Sequence, residues 1–485
     1  MTPQPPPFTF HVSRFTFHAP RLTPCRNLRL VPGRTDLLGS RRDVLDKSPP
    51  DPLAESAAVM SRKSTPAPRA VSVMVLGVGS FAHSTAQILK EAGAEVSTYL
   101  TRDYGHYAPS LAGATYRRDQ FPSPCPLLRE KRVGLVVPMS IDWAQAPWAE
   151  ELLGLGVPIF SPTGEAMKIE RERDFARRLC HEFKVPFPRA HVARNRLEAE
   201  ELLAKHPRPF VIKNPLCSPT SPIHTILCET VEDTRCWLRK INYAEGVFLQ
   251  EYLGRREVGH IALVSGGEIC SLVTNQEYKR AFAGNMGVIA GAPLGGLVER
   301  DSEDKYGLAR ELLHPLLPWF RAVGFHGPIQ VTAVHCKGKW HVIEYNIRIG
   351  VTSGAMILRL LANPIQTLLA TARNQKAQPQ FVPQRTFGCS VTLAGYGYPY
   401  VQVQGPHLPV DVTGEFDCDV WWNEVTRDNA GRLMTTGHRI ADVIGFGSSL
   451  EEAAGRAYAN IRKIRSLGSY YREDIGKSLW PPGAA

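Results

Sequence analysis

Three polar side chains of complementary chemistry stand at alternate positions near residue 345. Glu344, Asn346 and Arg348 are separated from one another by apolar residues. Because successive side chains of a β-strand point to opposite faces, this spacing places the three polar groups on one face. Carboxylate and amide oxygens suit Mg²⁺, and a guanidinium can hold a carboxylate or phosphate through two hydrogen bonds. The pattern therefore predicts either a metal and anion site or the ordinary solvated face of an amphipathic strand.

The strand that carries these residues is the second arm of a predicted hairpin. Residues rich in β-formers at 328–336 and 340–349 flank the sequence Lys337-Gly338-Lys339, in which the glycine fits a turn. A single hairpin cannot enclose a substrate. Other elements of the chain have to complete any site built on it.

Length and composition describe a multidomain globular protein. The chain has 485 residues, of which 43% are hydrophobic and 21% are charged, and it contains no apolar run long enough to span a bilayer. Its ten cysteines form no C-x-x-C pair, which argues for reduced thiols and against structural zinc. We therefore expect a cytoplasmic protein without a membrane partner.

The net charge of +11 is concentrated in the first residues. Residues 1–70 hold eleven Lys and Arg against five Asp and Glu, a balance of +6, which leaves +5 for the other 415 residues. So small an excess suits an enzyme of anionic, phosphorylated substrates better than a dedicated nucleic-acid binder. We expect no nucleic-acid partner.

Residues 1–70 are predicted to be a disordered, basic tail rich in Pro and Arg. They show neither helical nor strand periodicity. An organellar transit peptide is one interpretation of an Arg-rich start, but the Pro-Pro-Pro run and the scarcity of early Ser fit it poorly. The alternative that we favour is a simple tail, or upstream sequence read through before a true start at Met60.

Ordered structure is predicted to begin with a strand at 71–76. The turn that follows, Gly77 to His83, leads into a helical pattern over 84–92, and further strands and helices alternate to about residue 165. This alternation predicts a small doubly wound parallel sheet. The first helix N-terminus could receive a phosphate, although the turn has only two of the three glycines of a dinucleotide-binding motif.

The middle of the chain supplies several charged groups that could face an anion. A charged helix at 169–183 contains Arg173, and a strand at 207–213 ends in Lys213. Glu257 lies in a connection between two strands, where a carboxylate could hold a ribose. A polar cluster, residues 276–280, precedes a glycine-rich loop. Each of these features also has an ordinary explanation as a solvated surface.

Taken in order, these segments resemble the phosphoribosylamine–glycine ligase family, ATP-grasp enzymes also called glycinamide ribonucleotide synthetases. The resemblance covers about residues 71–476. The motifs that carry it are Gln276-Glu-Tyr-Lys-Arg280, Glu344-Tyr-Asn-Ile-Arg-Ile-Gly350, Ala394-Gly-Tyr-Gly-Tyr-Pro399 and Tyr471-Arg-Glu-Asp-Ile-Gly476. The first, second and fourth of these are similar to the family's Gln-Asp-His-Lys-Arg, Glu-Phe-Asn-x-Arg-Phe-Gly and closing Tyr-Arg-x-Asp-Ile-Gly, respectively.

The resemblance implies an ATP-dependent ligation of glycine to 5-phosphoribosylamine in purine synthesis, with Mg²⁺ or Mn²⁺. It assigns the metal to Glu344 and Asn346, and the acyl phosphate or carboxylate to Arg348. The remaining implied roles are phosphate binding by Arg173, Lys213 and Lys279 with Arg280, adenosine binding by Gln250, Glu251, Leu253 and Glu257, and ribosyl-phosphate binding by Gly77, Gly79 and His83.

The chain also departs from the family's pattern. After Gly350 the family continues Asp-Pro-Glu, whereas this chain continues Val351-Thr-Ser353, and the loop 217–222 lacks the family's lysine. Two alternatives follow from these departures. One is an ATP-grasp carboxylate–amine ligase with other substrates, and the other is a non-catalytic nucleotide-binding paralogue.

The predicted fold class is a multidomain α/β and α+β protein. Its predicted parts are the tail at 1–70, a Rossmann-like substrate domain at 71–168, an ATP-grasp domain at 169–375 and a small C-terminal α+β domain at 376–485. Within the last, Ser449 and Glu452 have the spacing of a helix capping box. We expect a monomer or a weak dimer.

Overall fold

The computed structural model describes residues 70–102, 107–218, 221–223, 225–401 and 407–477. The predictions for the tail before residue 70 lie outside these residues. All of the architecture below belongs to one compact unit, which begins at residue 66. Among its described helices, none is both long and apolar enough to cross a bilayer.

The first part of this unit contains a four-stranded parallel sheet in the order β3-β2-β1-β4. The buried strand β1 pairs with β2 on one side and β4 on the other, which confirms the predicted parallel sheet. The elements are β1 (Ser72–Leu76), α1 (Gly79–Glu91), β2 (Glu95–Tyr99), α2 (Tyr107–Ser110), β3 (Ala114–Tyr116), α3 (Cys125–Glu130), β4 (Leu135–Pro138) and α4 (Ala149–Gly154).

Two details of this part differ from the predictions. Helix α1 begins at Gly79, five residues before the predicted start, because Gly79 takes a φ of +62° that lets the glycine turn run directly into the helix. The sequence pattern over 143–155 predicts one continuous helix, whereas the structure has a 3₁₀ turn (Ile141–Gln145) followed by α4.

A second four-stranded sheet follows, in the antiparallel order β5-β8-β6-β7. The helix predicted at 169–183 is broken at Glu172, whose backbone is extended. The elements are α5 (Lys168–Arg171), α6 (Arg173–Glu182), β5 (Ala190–Ala193), α7 (Arg196–Lys205), β6 (Phe210–Lys213), β7 (Ile226–Leu227), α8 (Val231–Leu238) and β8 (Val247–Glu251).

The next elements form most of the central sheet and a small hairpin beside it. Strand β14 lies between β9 and β15, and the predicted hairpin of β14 and β15 is present. The elements are β9 (Glu257–Ser265), β10 (Glu268–Glu277), β11 (Arg280–Phe282), β12 (Met286–Ile289), β13 (Gly295–Arg300), α9 (Leu308–Leu312), α10 (Leu317–Ala322), β14 (Gly327–Cys336) and β15 (Lys339–Asn346).

Some of the remaining strands continue the same central sheet, and the others form a three-stranded and a two-stranded sheet. Its order is β15-β14-β9-β10-β13-β16-β22-β19, so three strands from beyond residue 376 continue it. The elements are α11 (Ser353–Leu360), α12 (Pro364–Ala372), β16 (Phe387–Ala394), β17 (Leu408–Pro409), β18 (Asp411–Val412), β19 (Asp419–Trp422), β20 (Val425–Arg427), β21 (Leu433–Thr435), β22 (Arg439–Gly447), α13 (Leu450–Ile461) and β23 (Ile464–Arg465).

The start of α13 shows the predicted cap. The Ser449 hydroxyl accepts a hydrogen bond of 3.2 Å from the Glu452 amide. The Glu452 carboxylate accepts a hydrogen bond of 2.9 Å from the Ser448 amide, one residue earlier than in a regular capping box. The nine cysteines among the described residues form no disulfide.

The apolar face of β15 anchors the residues that the sequence singled out. Tyr345 is buried and donates a hydrogen bond of 3.0 Å to the carbonyl oxygen of Leu312. Ile347 is also buried in this core. Because these two side chains point inward, Glu344 and Asn346 are held on the opposite face, as the alternation predicts.

Candidate active site

A cleft of about 490 Å³ lies over the polar face of β15. Its wall includes Glu344 and Asn346 from the strand, and Arg348 from just beyond the strand's last residue. Residues from other elements complete the wall: Lys213 from β6, Glu251 and Leu253 at the end of β8, Glu257 from β9, Glu277 from β10 and Lys279 before β11. The cleft is therefore lined by charged groups from five strands and their ends.

Glu344 is surrounded by three cations. Its carboxylate oxygens lie 3.5 Å from Lys279 Nζ, 3.6 Å from Arg173 Nη1 and 3.9 Å from Lys213 Nζ. Burial alone would raise the pKa of Glu344, but Lys279, Lys213 and Arg173 lower it well below its usual value. The carboxylate is thus ionised at neutral pH, and the cations around it form a positive wall.

Lys213 is the most deeply buried cation of the site, with a side chain that is 2% exposed. Its ammonium donates a hydrogen bond of 3.2 Å to the Ile343 carbonyl oxygen. Burial lowers the pKa of Lys213 to about 8, although the charge of Glu344 acts in the opposite direction. A phosphate bound next to Lys213 would favour the charged form of the ammonium, against the effect of burial.

Gln250 also contacts the Ile343 carbonyl oxygen, through a hydrogen bond of 3.2 Å from its Nε2. The side chain is fully buried and is absent from the lining of the cleft. This hydrogen bond links β8 to β15, the strand that carries Glu344. The adenosine role implied for Gln250 stays a prediction.

Lys279 and Glu257 form a close ion pair at 2.7 Å. Burial would lower the pKa of Lys279, but the carboxylates of Glu257, Glu344 and Glu277 raise it above its ordinary value. Lys279 is therefore charged throughout the physiological range. Nearby, Glu251 pairs with Arg208 at 2.5 Å.

Arg348 is positioned by a residue that the sequence did not single out. Its Nε lies 3.6 Å from Oε1 of Glu170, and Oε2 of the same carboxylate accepts a hydrogen bond of 2.6 Å from the Ile347 amide. Burial raises the pKa of Glu170, against the charge of Arg348. Only the three-dimensional structure joins Glu170 to the strand end, because 177 residues separate it from Ile347.

The oxygens of Glu344 and Asn346 fit a divalent cation. Both side chains line the cleft, and Asn346 Oδ1 is accessible enough to accept a hydrogen bond of 3.3 Å from Arg348 Nη2. A carboxylate and an amide oxygen form the hard donor set that Mg²⁺ takes together with phosphate oxygens. Glu277 adds a further carboxylate to the same wall.

A second cavity, of about 420 Å³, adjoins the cleft. It is lined by Gly77 in the turn before α1, by Ser80 in the first turn of α1, and by C-terminal residues that include Arg439. Arg348, Val351 and Gly291 line both spaces. The two cavities therefore meet at Arg348.

Arg439 is only 5% exposed. Its Nη2 donates a hydrogen bond of 2.7 Å to Asp442 Oδ1, whereas its Nε has no hydrogen-bond partner among the described residues. Beside it, His438 Nδ1 lies 3.0 Å from Glu424 Oε2. The sequence analysis assigned no role to these side chains.

His83 lies on the inner side of α1, away from the lining of the second cavity. Its ring meets that of Trp421 edge-on, with centroids 5.4 Å apart, and is 5% exposed. Burial lowers the pKa of His83 to about 4. Gly79 is also absent from the lining, and a Cβ there would collide with Asn423. Of the three residues predicted to face the ribosyl phosphate, only Gly77 reaches the cavity.

Arg280 faces a third cavity, of about 320 Å³, which shares Glu257, Glu277 and Lys279 with the main cleft. Its Nη1 donates a hydrogen bond of 2.7 Å to the Gly287 carbonyl oxygen. Arg472 in turn donates one of 2.9 Å to the Arg280 carbonyl oxygen. These bonds hold the hairpin of β11 and β12 against the C-terminal motif, so Arg280 lies behind Lys279 rather than beside Glu344.

Two protein-family models match segments of this chain that contribute to the cavities. The model described as phosphoribosylglycinamide synthetase, ATP-grasp (A) domain, matches residues 171–352, and that of the C domain matches residues 388–478. The two matched ranges contain most of the main cleft and the C-terminal side of the second cavity.

Individual relatives extend the likeness to most of the chain. Phosphoribosylamine–glycine ligase from Leifsonia xyli is 30% identical over 349 residues, which cover 67% of this chain and 80% of that protein. The crystal structure of the Thermotoga maritima ligase shares the fold with a TM-score of 0.67 and 24% identity, over 84% of this chain and all of that one. A biotin carboxylase domain from Hydrogenobacter thermophilus, in complex with MgADP and bicarbonate, has a TM-score of 0.61 at 14% identity over 82% of this chain and 91% of that one.

The identity to the Leifsonia protein extends over four fifths of that relative, and both family models fall on the segments that build the cavities. On these grounds, the chain is a member of the phosphoribosylamine–glycine ligase family.

Proposed function

We propose that this protein ligates glycine to 5-phosphoribosylamine at the expense of ATP, giving glycinamide ribonucleotide, ADP and phosphate. The observation that carries the proposal is the meeting of two cavities at Arg348. One is walled by cations and two candidate metal ligands, and the other joins the first glycine turn to a buried arginine. A nucleotide in the first cavity and a phosphorylated amine in the second could thus reach a glycine held at Arg348 from two sides.

The reaction would proceed through an acyl phosphate. A carboxylate oxygen of glycine attacks the γ-phosphorus of ATP and ADP leaves, after which the amine nitrogen attacks the carbonyl carbon and phosphate leaves. Such chemistry depends on in-line positioning and on neutralising charge at the transferring group. Lys213, Lys279 and Arg173 surround the place where phosphate charge would develop, and Arg348 would hold the carboxylate and then the acyl phosphate.

A divalent cation, Mg²⁺ or Mn²⁺, would be held by Glu344 and Asn346, and when bound it would neutralise the phosphate oxygens. The chain's own contribution is to position these ligands. The pairing of β15 with β14 fixes the spacing of Glu344 and Asn346, and the three nearby cations keep Glu344 ionised. Glu251, Leu253 and Glu257 lie at one end of the cleft and would contact the adenosine.

We further propose that the protein acts in the cytoplasm as a monomer or weak dimer. Among the described cysteines, the absence of any disulfide supports a reducing compartment.

The test is ADP release by the purified protein with ATP, glycine and freshly generated phosphoribosylamine, together with rescue of a purine auxotroph that lacks this ligase. We expect turnover that requires all three substrates and that Glu344→Ala abolishes. Glu268→Ala is the matched control, because Glu268 lies at the far, exposed end of β10. ATP turnover that is indifferent to glycine would contradict the proposal.

A second candidate is a related ATP-grasp ligase with another acid or amine. The segment Val351-Thr-Ser353 favours it, because residues 351–353 supply no acid where the family has Asp-Pro-Glu. Panels of acids and amines in the same assay decide between the two candidates. A third candidate, a non-catalytic nucleotide-binding paralogue, is overturned by any acceptor-dependent turnover that Glu344→Ala removes.

A further inference from the structure

One carboxylate of the cleft differs from the others in its contacts with charged groups. Glu251 pairs with Arg208, Glu257 pairs with Lys279, and Glu344 lies among three cations. Glu277, at the end of β10, lines both the main cleft and the third cavity. Within the described part of the chain, its carboxylate accepts no hydrogen bond and forms no ion pair.

The surroundings of Glu277 leave its charge partly uncompensated. Burial raises the pKa of this carboxyl, while Lys279 and Arg348 lower it from beyond contact distance. The neighbouring carboxylates of Glu344 and Glu257 raise it further. An acid in such a place is stabilised by a cation that arrives with a ligand.

Several side-chain oxygens lie close around Gly350. A Cβ built on Gly350 would lie 3.2 Å from Glu277 Oε1 and 3.5 Å from Gln330 Oε1, and still closer to Ser353 Oγ. The hydroxyls of Ser353 and Thr352 are buried and have no hydrogen-bond partner in the described structure. Of these groups, Glu277 and Gln330 line the cleft, so their oxygens are open to an ammonium group, which has three N–H donors and no acceptor.

We propose that Glu277 receives the ammonium group of the amino-acid substrate, while Arg348 holds the carboxylate of the same molecule. The inference rests on the proposed function and adds a residue to it. An α-amino acid carries both charges, and here an arginine and an unpaired carboxylate face one cleft. Glu277 would then supply negative charge in a chain that has no acid at 351–353.

The experiment compares Glu277→Gln with the wild type in steady-state assays of ADP release. We expect the KM for glycine to rise about 10- to 100-fold, the range for losing a hydrogen bond to a charged partner. The KM for ATP and the melting temperature should stay close to the wild-type values. Glu277→Asp, which keeps the charge one methylene further back, should recover part of the loss.

Glu268→Gln provides the control on the same strand, since it makes the same chemical change at an exposed position. An unchanged KM for glycine in Glu277→Gln, or equal rises in both KM values, would overturn the assignment of Glu277 and leave the proposed function standing.

If the wild type shows no glycine-dependent turnover, a direct binding measurement tests the ammonium site instead. Calorimetry in the presence of an ATP analogue would compare glycine with acetate, and β-alanine with propionate. Tighter binding of the amino acids, lost in Glu277→Gln, supports the ammonium site even if the proposed function fails. Equal affinity for each amino acid and its deaminated counterpart overturns it.

Discussion

Ser80 donates a hydrogen bond of 2.6 Å from its Oγ to Oδ2 of Asp442, although 362 residues separate the two in the chain. The other oxygen of Asp442 accepts hydrogen bonds from Thr392, at 2.6 Å, and from Arg439, at 2.7 Å. One buried carboxylate therefore joins the beginning of α1 to two C-terminal strands. It also fixes the guanidinium that lines the second cavity.

Removing this carboxylate should be costly. In Asp442→Ala the Arg439 guanidinium would stay buried without its counter-charge, and we expect the free energy of unfolding to fall by about 3–5 kcal/mol. Ser80→Ala removes one of three hydrogen bonds and should cost about 1 kcal/mol. Urea unfolding measures both. The control is Asp119→Ala, which breaks an exposed pair with Arg117 and should leave stability unchanged. Equal effects of the two aspartate variants would disprove the role of Asp442.

Lys213 should be required for nucleotide binding but not for folding. Lys213→Met keeps the apolar stem and removes the buried charge, so we expect the KM for ATP to rise about 10- to 100-fold without loss of stability. Lys205→Met, at an exposed position in the last turn of α7, is the matched control. If Lys213→Met bound ATP as the wild type does, phosphate binding by Lys213 would be wrong.

His83 should make the fold sensitive to acid. Its pKa is lowered from 6.5 to about 4 by burial, so the unfolded chain binds a proton in this interval that the folded chain does not. Stability contributed in this way is present above pH 6.5 and is lost as the pH falls towards 4, by about 3 kcal/mol in total. Denaturant unfolding between pH 7 and pH 4.5 should show the loss. His83→Phe, which keeps a ring against Trp421, should flatten the profile, and parallel profiles would contradict the prediction.

Glu170 should matter through the two groups that it contacts. Glu170→Ala leaves the buried Ile347 amide without an acceptor, which should cost about 1–3 kcal/mol, and it frees Arg348. We therefore expect a higher KM for glycine as well. Glu170→Gln retains a carbonyl oxygen for the amide and should recover most of the stability but not the KM. If both variants raised the KM for ATP instead, Arg348 would not be the group that Glu170 positions.

The polar face of β15 could be predicted from sequence because it depends on a local rule. Alternation along a strand determines which side chains share a face, and the structure keeps Glu344 and Asn346 together as that rule requires. The parallel sheet and the hairpin of β14 and β15 follow from equally local patterns. The family membership was recognised from motifs, and the comparisons confirm it.

The sequence could not show which distant groups complete the site. Glu170 and Asp442 act across 177 and 362 residues, and their own neighbours in the chain give no sign of this. His83 illustrates the converse difficulty. Its place after a glycine turn suggested a ligand contact, but helix α1 begins at Gly79 and turns the ring inward, where it packs on Trp421.

The pairing of β13 with β16 has a consequence for any attempt to cut the chain into its predicted parts. Five residue pairs, from Gly295 with Val391 to Glu299 with Phe387, join strands on the two sides of residue 376. A fragment that ended at 375 would expose the amides and carbonyls along one side of β13, and such an open edge readily recruits strands from other molecules. By pairing with β13, the C-terminal residues therefore protect the nucleotide-binding part of the chain from self-association. The second cavity, which residues on both sides of residue 376 line, exists only in a chain that keeps both parts.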